Sequence, residues 1–181
     1  MAEHDDWRDE TLDDHRPARR ATSWPGGSAP RVVVVPLDFS PASRLALAWA
    51  LDYAAHTPSE IHTLHVIDRR WRRSDLDADG AALRGELAEI HAAASAELAA
   101  LFDDDTRARI GALHEHVAIG APADEILAVA RQVGAALIVI GSHGLGAIER
   151  ILVGSVAEKV VRGATCPVVV VRPPSDDRTQ G

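Results

Sequence analysis

Lysine is nearly absent from this 181-residue chain: Lys159 is its only one. Lys159 follows Glu158, so the chain cannot form the G-x4-G-K-[ST] phosphate loop, whose lysine reaches the β- and γ-phosphates. Cysteine is also single. Cys166 has no partner for an intramolecular disulfide, and a Cys-rich zinc site cannot be built. Apolar runs such as Val32–Val35 and Val168–Val171 are strand-sized, and none has transmembrane length. The first residues are polar and acidic, without the charged and apolar regions of a signal peptide. Excess positive charge is missing too. A net charge of −8 argues against general attraction to nucleic acid or anionic lipid. These absences lead to the expectation of a cytoplasmic protein that contacts neither membrane nor nucleic acid.

What is present is enough for one domain with a real core, since 46% of the residues are hydrophobic. Residues 1–30 are rich in Asp, Glu, Arg, Pro and Gly and lack an apolar period, so they read as a disordered tail. Residues 173–181 form a second tail. From Arg31 the pattern changes. Val32–Val35, Ile61–Ile67, Leu113–Ile119, Leu137–Ile140 and Val168–Val171 read as strands. Between them lie helical patterns. Ser40-Pro41 is a cap and first-turn pair opening a helix to about His56, expected to bury Leu45, Trp49 and Tyr53. Ala81–Leu101 carries a stripe of Leu83, Leu87, Ile90, Ala94 and Leu98. Two more helices follow Pro122 and Gly154, the first ended by Gly134. Strands alternating with helices predict an α/β fold, an open doubly wound five-stranded parallel sheet. In such sheets ligands sit beyond the strand C-termini where the strand order reverses. With the order 3-2-1-4-5 that point lies between the first and fourth strands, and it brings the Asp38 and Gly141 loops together.

The Gly141 loop has the skeleton G-x2-G-x9-G-S, from Gly141 through Gly144 to Gly154 and Ser155. It joins a strand to a helix, where glycines allow close backbone approach and a helix N-terminus favours an anion. It is not a dinucleotide fingerprint, because Gly144-x-Gly146 is followed by Glu149 where a third glycine would fall. Cationic help in the loop is limited to Arg150 and His143. That favours holding a nucleotide over rapid phosphoryl transfer, which needs charge positioned on the transferring group. Ser155-Val-Ala-Glu158 also reads as a capping box, and Asp38 also reads as a turn residue. Arg69-Arg-Trp71-Arg-Arg73 reads either as a solvated loop or as a lid in which Trp71 covers the ligand. His114-x-His116 points to one face of a strand, but no other ligand stands at a fixed spacing, so no metal site built from protein ligands is expected.

Several of these stretches together resemble the universal stress protein family, an α/β fold related to adenine-nucleotide α-hydrolases. The resemblance rests on Val35-Pro36-Leu-Asp38-Phe-Ser40, Leu64-His-Val66, Gly120-Ala-Pro122, the Gly141–Ser155 loop and Cys166-Pro167 before the last valines. It covers about Arg31 to Arg172, and the G-x2-G-x9-G-S loop is the version found in ATP-binding members. The resemblance implies that Pro36, Leu37 and Asp38 face adenine and ribose, and that Val66 flanks the base. It places Ile140 and Gly141 along the nucleoside, with Gly144, Gly154, Ser155 and Val156 at the phosphates. It also implies ATP as ligand and a homodimer through Val168–Val171. A divalent cation such as Mg²⁺ bridging the ATP phosphates is a better expectation than a site built by the protein. Ala136 departs from the acidic residue that the family often has there, at the strand end away from the crevice. The expected role is a nucleotide-dependent stress-response or signalling module. A slow ATPase or other adenine-nucleotide hydrolase, and an interaction domain with a vestigial site, stand as alternatives.

Overall fold

Four valines in a row leave a strand no polar face, so it must be covered on both sides. In the computed structural model, which describes residues 31–68, 80–110, 112–142 and 153–173, they form β1 (Arg31–Pro36). Val33, Val34 and Val35 expose nothing. The chain continues through α1 (Pro41–His56), β2 (Ser59–Asp68), α2 (Gly80–Ala99), α3 (Asp104–Arg109) and β3 (Ala112–Gly120). It ends with α4 (Pro122–Gln132), β4 (Leu137–Gly141), α5 (Ser155–Gly163) and β5 (Val168–Val171). The strands pair in parallel, as the alternating pattern predicts, and their order β3-β2-β1-β4-β5 is the one expected for the sheet.

Side chains alternate across each strand, which divides the core in two. On one face Val33, Val35, Ile61 and Val139 pack with Ala46, Leu47 and Ala50 of α1 and Leu98 of α2. On the other, Val34, Leu64, Ile138 and Ile140 pack with Ile126 and Ala130 of α4 and Ala157 and Val160 of α5. The helix ends follow local chemistry. Ser40 caps α1 by accepting the Ser43 N–H at 3.2 Å, and Pro41 takes the first turn. Gly134 ends α4 at φ 65°, where the Ala135 N–H reaches the Ala130 carbonyl and the Gly134 N–H reaches Arg131. This pair of bonds is a Schellman motif, and it needs the left-handed residue that glycine supplies cheaply.

Two features differ from the sequence-based expectation. First, α1 does not bury Leu45 and Trp49, which are 39% and 40% exposed. Its buried face is Ala42, Ser43, Ala46, Leu47 and Ala50. The reason is distance: a methyl group on Gly141 would stand 2.7 Å from the Ala42 carbonyl carbon and 2.8 Å from the Ser43 nitrogen. A helix this close to a strand admits mainly small side chains underneath. The large residues move to the margin, where Trp49 stacks on Tyr53 and the Tyr53 hydroxyl accepts from Arg31. Second, α3 was not expected. Asp103 caps it by accepting the Thr106 N–H at 2.8 Å, a signal hidden within an acidic run that reads as loop.

The contact at Gly141 makes a direct prediction. Gly141→Ala forces two backbones apart and is expected to cost about 1–3 kcal/mol, the usual range for overpacking. Urea unfolding of the purified variant checks this, and an unchanged midpoint would refute the close contact.

Candidate functional site

The β1–α1 turn is built by its own polar groups. After Pro36 pairs with Leu64, the Leu37 N–H bonds the Leu64 carbonyl at 2.8 Å, extending the strand by one residue. Asp38 then turns the chain: its Oδ1 accepts from the Ser40 N–H at 3.1 Å and from the Ser40 hydroxyl at 2.6 Å. Between them Phe39 adopts φ 61°, a left-handed conformation unusual for a residue with a side chain. Its ring lies 4.7 Å from that of His65, whose Nδ1–H donates to the Leu37 carbonyl at 2.8 Å. Asp38 therefore serves the turn, and it is half-buried at the end of the central strand.

The β4–α5 junction lies at the same end of the neighbouring strand. Ser142 is fully buried; its N–H bonds the Val171 carbonyl at 2.7 Å, and its own carbonyl accepts the Gly154 N–H at 2.6 Å. These bonds clamp both ends of the glycine loop. Gly154, not Ser155, is the N-cap of α5, and no side chain among the described residues caps this end. The capping-box reading of Ser155 is thus corrected: Ser155 is the first helical residue, and its side chain is exposed. The first intrahelical bond is Glu158 N–H to Gly154, so the N–H groups of Ser155, Val156 and Ala157 have no acceptor within the helix. They form the positive end of the helix dipole.

Of the residues named from the sequence, Val66, Ile140 and Val156 are brought into one apolar cluster on the α4–α5 face, joined by Val153. Pro36, Leu37 and Asp38 lie at the end of β1, and Gly141, Gly154 and Ser155 at the junction beside it. The described reason for Gly141 is its contact with α1. His143, Gly144, Arg150 and Trp71 fall outside the described residues. Cys166 is half-buried, and burial pushes its thiol up, which keeps it protonated and weakly nucleophilic.

Sequence reading placed His114 and His116 on one strand face but missed the side chains that join them. His62 on β2 pairs in register with His114 on β3, and His116 lies two residues further along the same face. The His62 and His114 rings stack at 4.4 Å, and His62 Nδ1 lies 2.9 Å from His116 Nε2. Glu60, His62 and His114 each offer a ligand atom, all within 4.8 Å of one another. Burial, then the neighbouring His114 and His116, lowers the His62 pKa to about 3; burial and His114 lower that of His116. Only the strand register joins Glu60 and His62 to residues more than fifty positions away, so no short motif could announce the group.

The comparisons with known proteins agree with this architecture. The sequence profile of the universal stress protein family matches residues 30–172. The chain belongs to the universal stress protein family. It is 33% identical over 146 residues to a universal stress protein of Methanocaldococcus jannaschii, covering 80% of this chain and 84% of that one. Its fold is similar to that of a universal stress protein from Lactobacillus plantarum, with a TM-score of 0.68, 26% identity and coverage of 81% and 100%. A universal stress protein solved in complex with cAMP superposes with a TM-score of 0.52 at 26% identity, covering 80% of this chain and 98% of that one. Among the described residues no helix is long and apolar enough to cross a membrane.

The two serines at the helix starts separate structure from ligand contact. Ser40→Ala removes a buried cap and is expected to cost about 1 kcal/mol. Ser155→Ala removes an exposed hydroxyl that caps nothing, so it should change stability by less than about 0.5 kcal/mol. Thermal unfolding of the two variants side by side checks the contrast, and a loss at Ser155 equal to that at Ser40 would restore the cap.

Proposed function

We propose that this universal stress protein holds ATP across the ends of β1 and β4 and works as a dimeric stress-response or signalling module. The observation that carries the reading is the α5 N-terminus, uncapped by any side chain among the described residues and set beside the Asp38 turn where the strand order reverses. In this reading Ser155, Val156 and Gly154 receive the phosphates, aided by Gly144, His143 and Arg150 from the loop. Val66 and Ile140 provide apolar contact for the base, and Pro36, Leu37 and Asp38 line the ribose side, with Gly141 between the two loops. The related protein that binds cAMP supports an adenine nucleotide as the ligand class. Mg²⁺, where present, is carried by the phosphates. The site lacks a P-loop lysine, which supports holding the nucleotide over turning it over.

The dimer rests on β5. It is an outer strand of the sheet, and its four valines are each only half-buried. An apolar edge of this kind pairs readily with another strand, and a twofold axis pairs it with its own copy. Val170→Lys should convert a dimer to monomer in sedimentation at micromolar concentration; a wild-type monomer there would remove the dimer from the proposal.

Calorimetric titration with ATP tests the site. Wild type should bind with saturable 1:1 stoichiometry, while Gly144→Val and Asp38→Ala should each weaken binding at least tenfold, or about 1.4 kcal/mol. Absence of binding by the wild type, or equal affinity in both variants, would overturn the assignment.

A further inference from the structure

We propose that Glu60, His62 and His114 form a zinc site on the outer edge of the sheet, with His116 holding the His62 ring in place. The four residues occupy one face of two adjacent strands. Glu60 and His62 lie two apart on β2, and His114 and His116 lie two apart on β3, with His62 opposite His114. Leu64 and Ala118, which continue the same rows, pack in the cluster beneath α4 and α5. The group therefore sits on that face toward the N-terminal ends of the strands. The proposed nucleotide crevice lies at the C-terminal ends, so the two sites share no residue.

The donor chemistry selects the ion. Two imidazoles and a carboxylate suit zinc, whereas Mg²⁺ and Ca²⁺ prefer oxygen ligands throughout. Zinc bonds of about 2.0–2.2 Å place tetrahedral ligand atoms roughly 3.3 Å apart. The 4.8 Å envelope of the three donor atoms comes within a side-chain rotation of that spacing. His114 is exposed on the outermost strand and supplies both the freedom to close and access from solvent. His62 is 8% exposed, and it is fixed from behind by the 2.9 Å bond to His116. Such a bond from a ligand's other ring partner is the usual way a metal-binding imidazole is oriented.

The test uses the full chain without an affinity tag, stripped of metal and free of nucleotide, titrated with Zn²⁺ against a chromophoric chelator. Wild type is expected to take up one equivalent. His114→Ala, at an exposed position, and Glu60→Gln should each weaken binding at least tenfold, whereas His56→Ala, exposed on α1, should leave it unchanged. Co²⁺ in place of Zn²⁺ should give the intense visible bands of tetrahedral coordination in the wild type and lose them in His114→Ala. His116→Phe should weaken binding while keeping one equivalent and the tetrahedral Co²⁺ spectrum, as a positioning role requires. Less than stoichiometric uptake would overturn the proposal. Affinity equal to wild type in both His114→Ala and Glu60→Gln would do the same, and so would an equal loss in His56→Ala.

Discussion

Two backbones meet at Gly141, and the geometry around the crevice depends on that contact. The first turn of α1 presses against the end of β4 so closely that a single methyl group has no room. From this point a chain of hydrogen bonds runs both ways. Toward β1 it passes through Ser43 and Ser40 to Asp38, which sets the turn. Toward α5 it passes through Ser142, which receives the Gly154 N–H and donates to Val171. One close contact thus fixes the Asp38 turn and the start of α5 relative to each other, although more than a hundred residues separate them. It also explains why α1 presents three alanines, a serine and a single leucine to the sheet and leaves Trp49 at the margin.

The same turn stores strain. Phe39 in the left-handed region costs on the order of 1–2 kcal/mol for an ordinary side chain. The compensation is local: Asp38 ties down Ser40, Arg44 Nε donates to the Phe39 carbonyl, and the Phe39 ring rests on His65. His65 in turn holds the Leu37 carbonyl. A glycine at position 39 would relieve the strain but would also remove the ring that meets His65. The strained residue therefore couples the end of β1 to β2, beside the side chains assigned to the nucleotide.

How much was legible in the sequence follows from the range of each interaction. The continuous valine runs, the Ser40-Pro41 start and the Gly134 stop are local signals, and the structure keeps them. The parallel sheet was legible from the alternating elements, and its strand order fits the fold that the family resemblance implies. The buried face of α1 was not legible. Hydrophobic spacing favours Leu45, Trp49 and Tyr53, but the face was decided by a glycine on another strand. Ser155 misled for a related reason: Ser-x-x-Glu has the chemistry of a capping box, yet the Gly154–Ser142 bond fixes the helix start one residue earlier. Glu60 and His62 could not be found beside His114 without the β2–β3 register.

A parallel sheet gathers the C-terminal ends of its strands on one side, and with them the loops available to a ligand. That leaves the middle of the sheet to apolar side chains, and β1 and β5 conform with little but valine. β2 does not. Along its ten residues Ser59, His62 and Thr63 are buried polar positions, and His65 is half-buried. Each polar side chain in a sheet interior needs a partner to offset the loss of water. β2 finds them on both neighbours for three of these four: His65 donates to the end of β1, Thr63 donates to the carbonyl of His114, and His62 bonds the ring of His116, while the buried Ser59 hydroxyl has no partner among the described residues. β2 therefore joins, through its own residues, the edge cluster of histidines to the turn that carries Asp38.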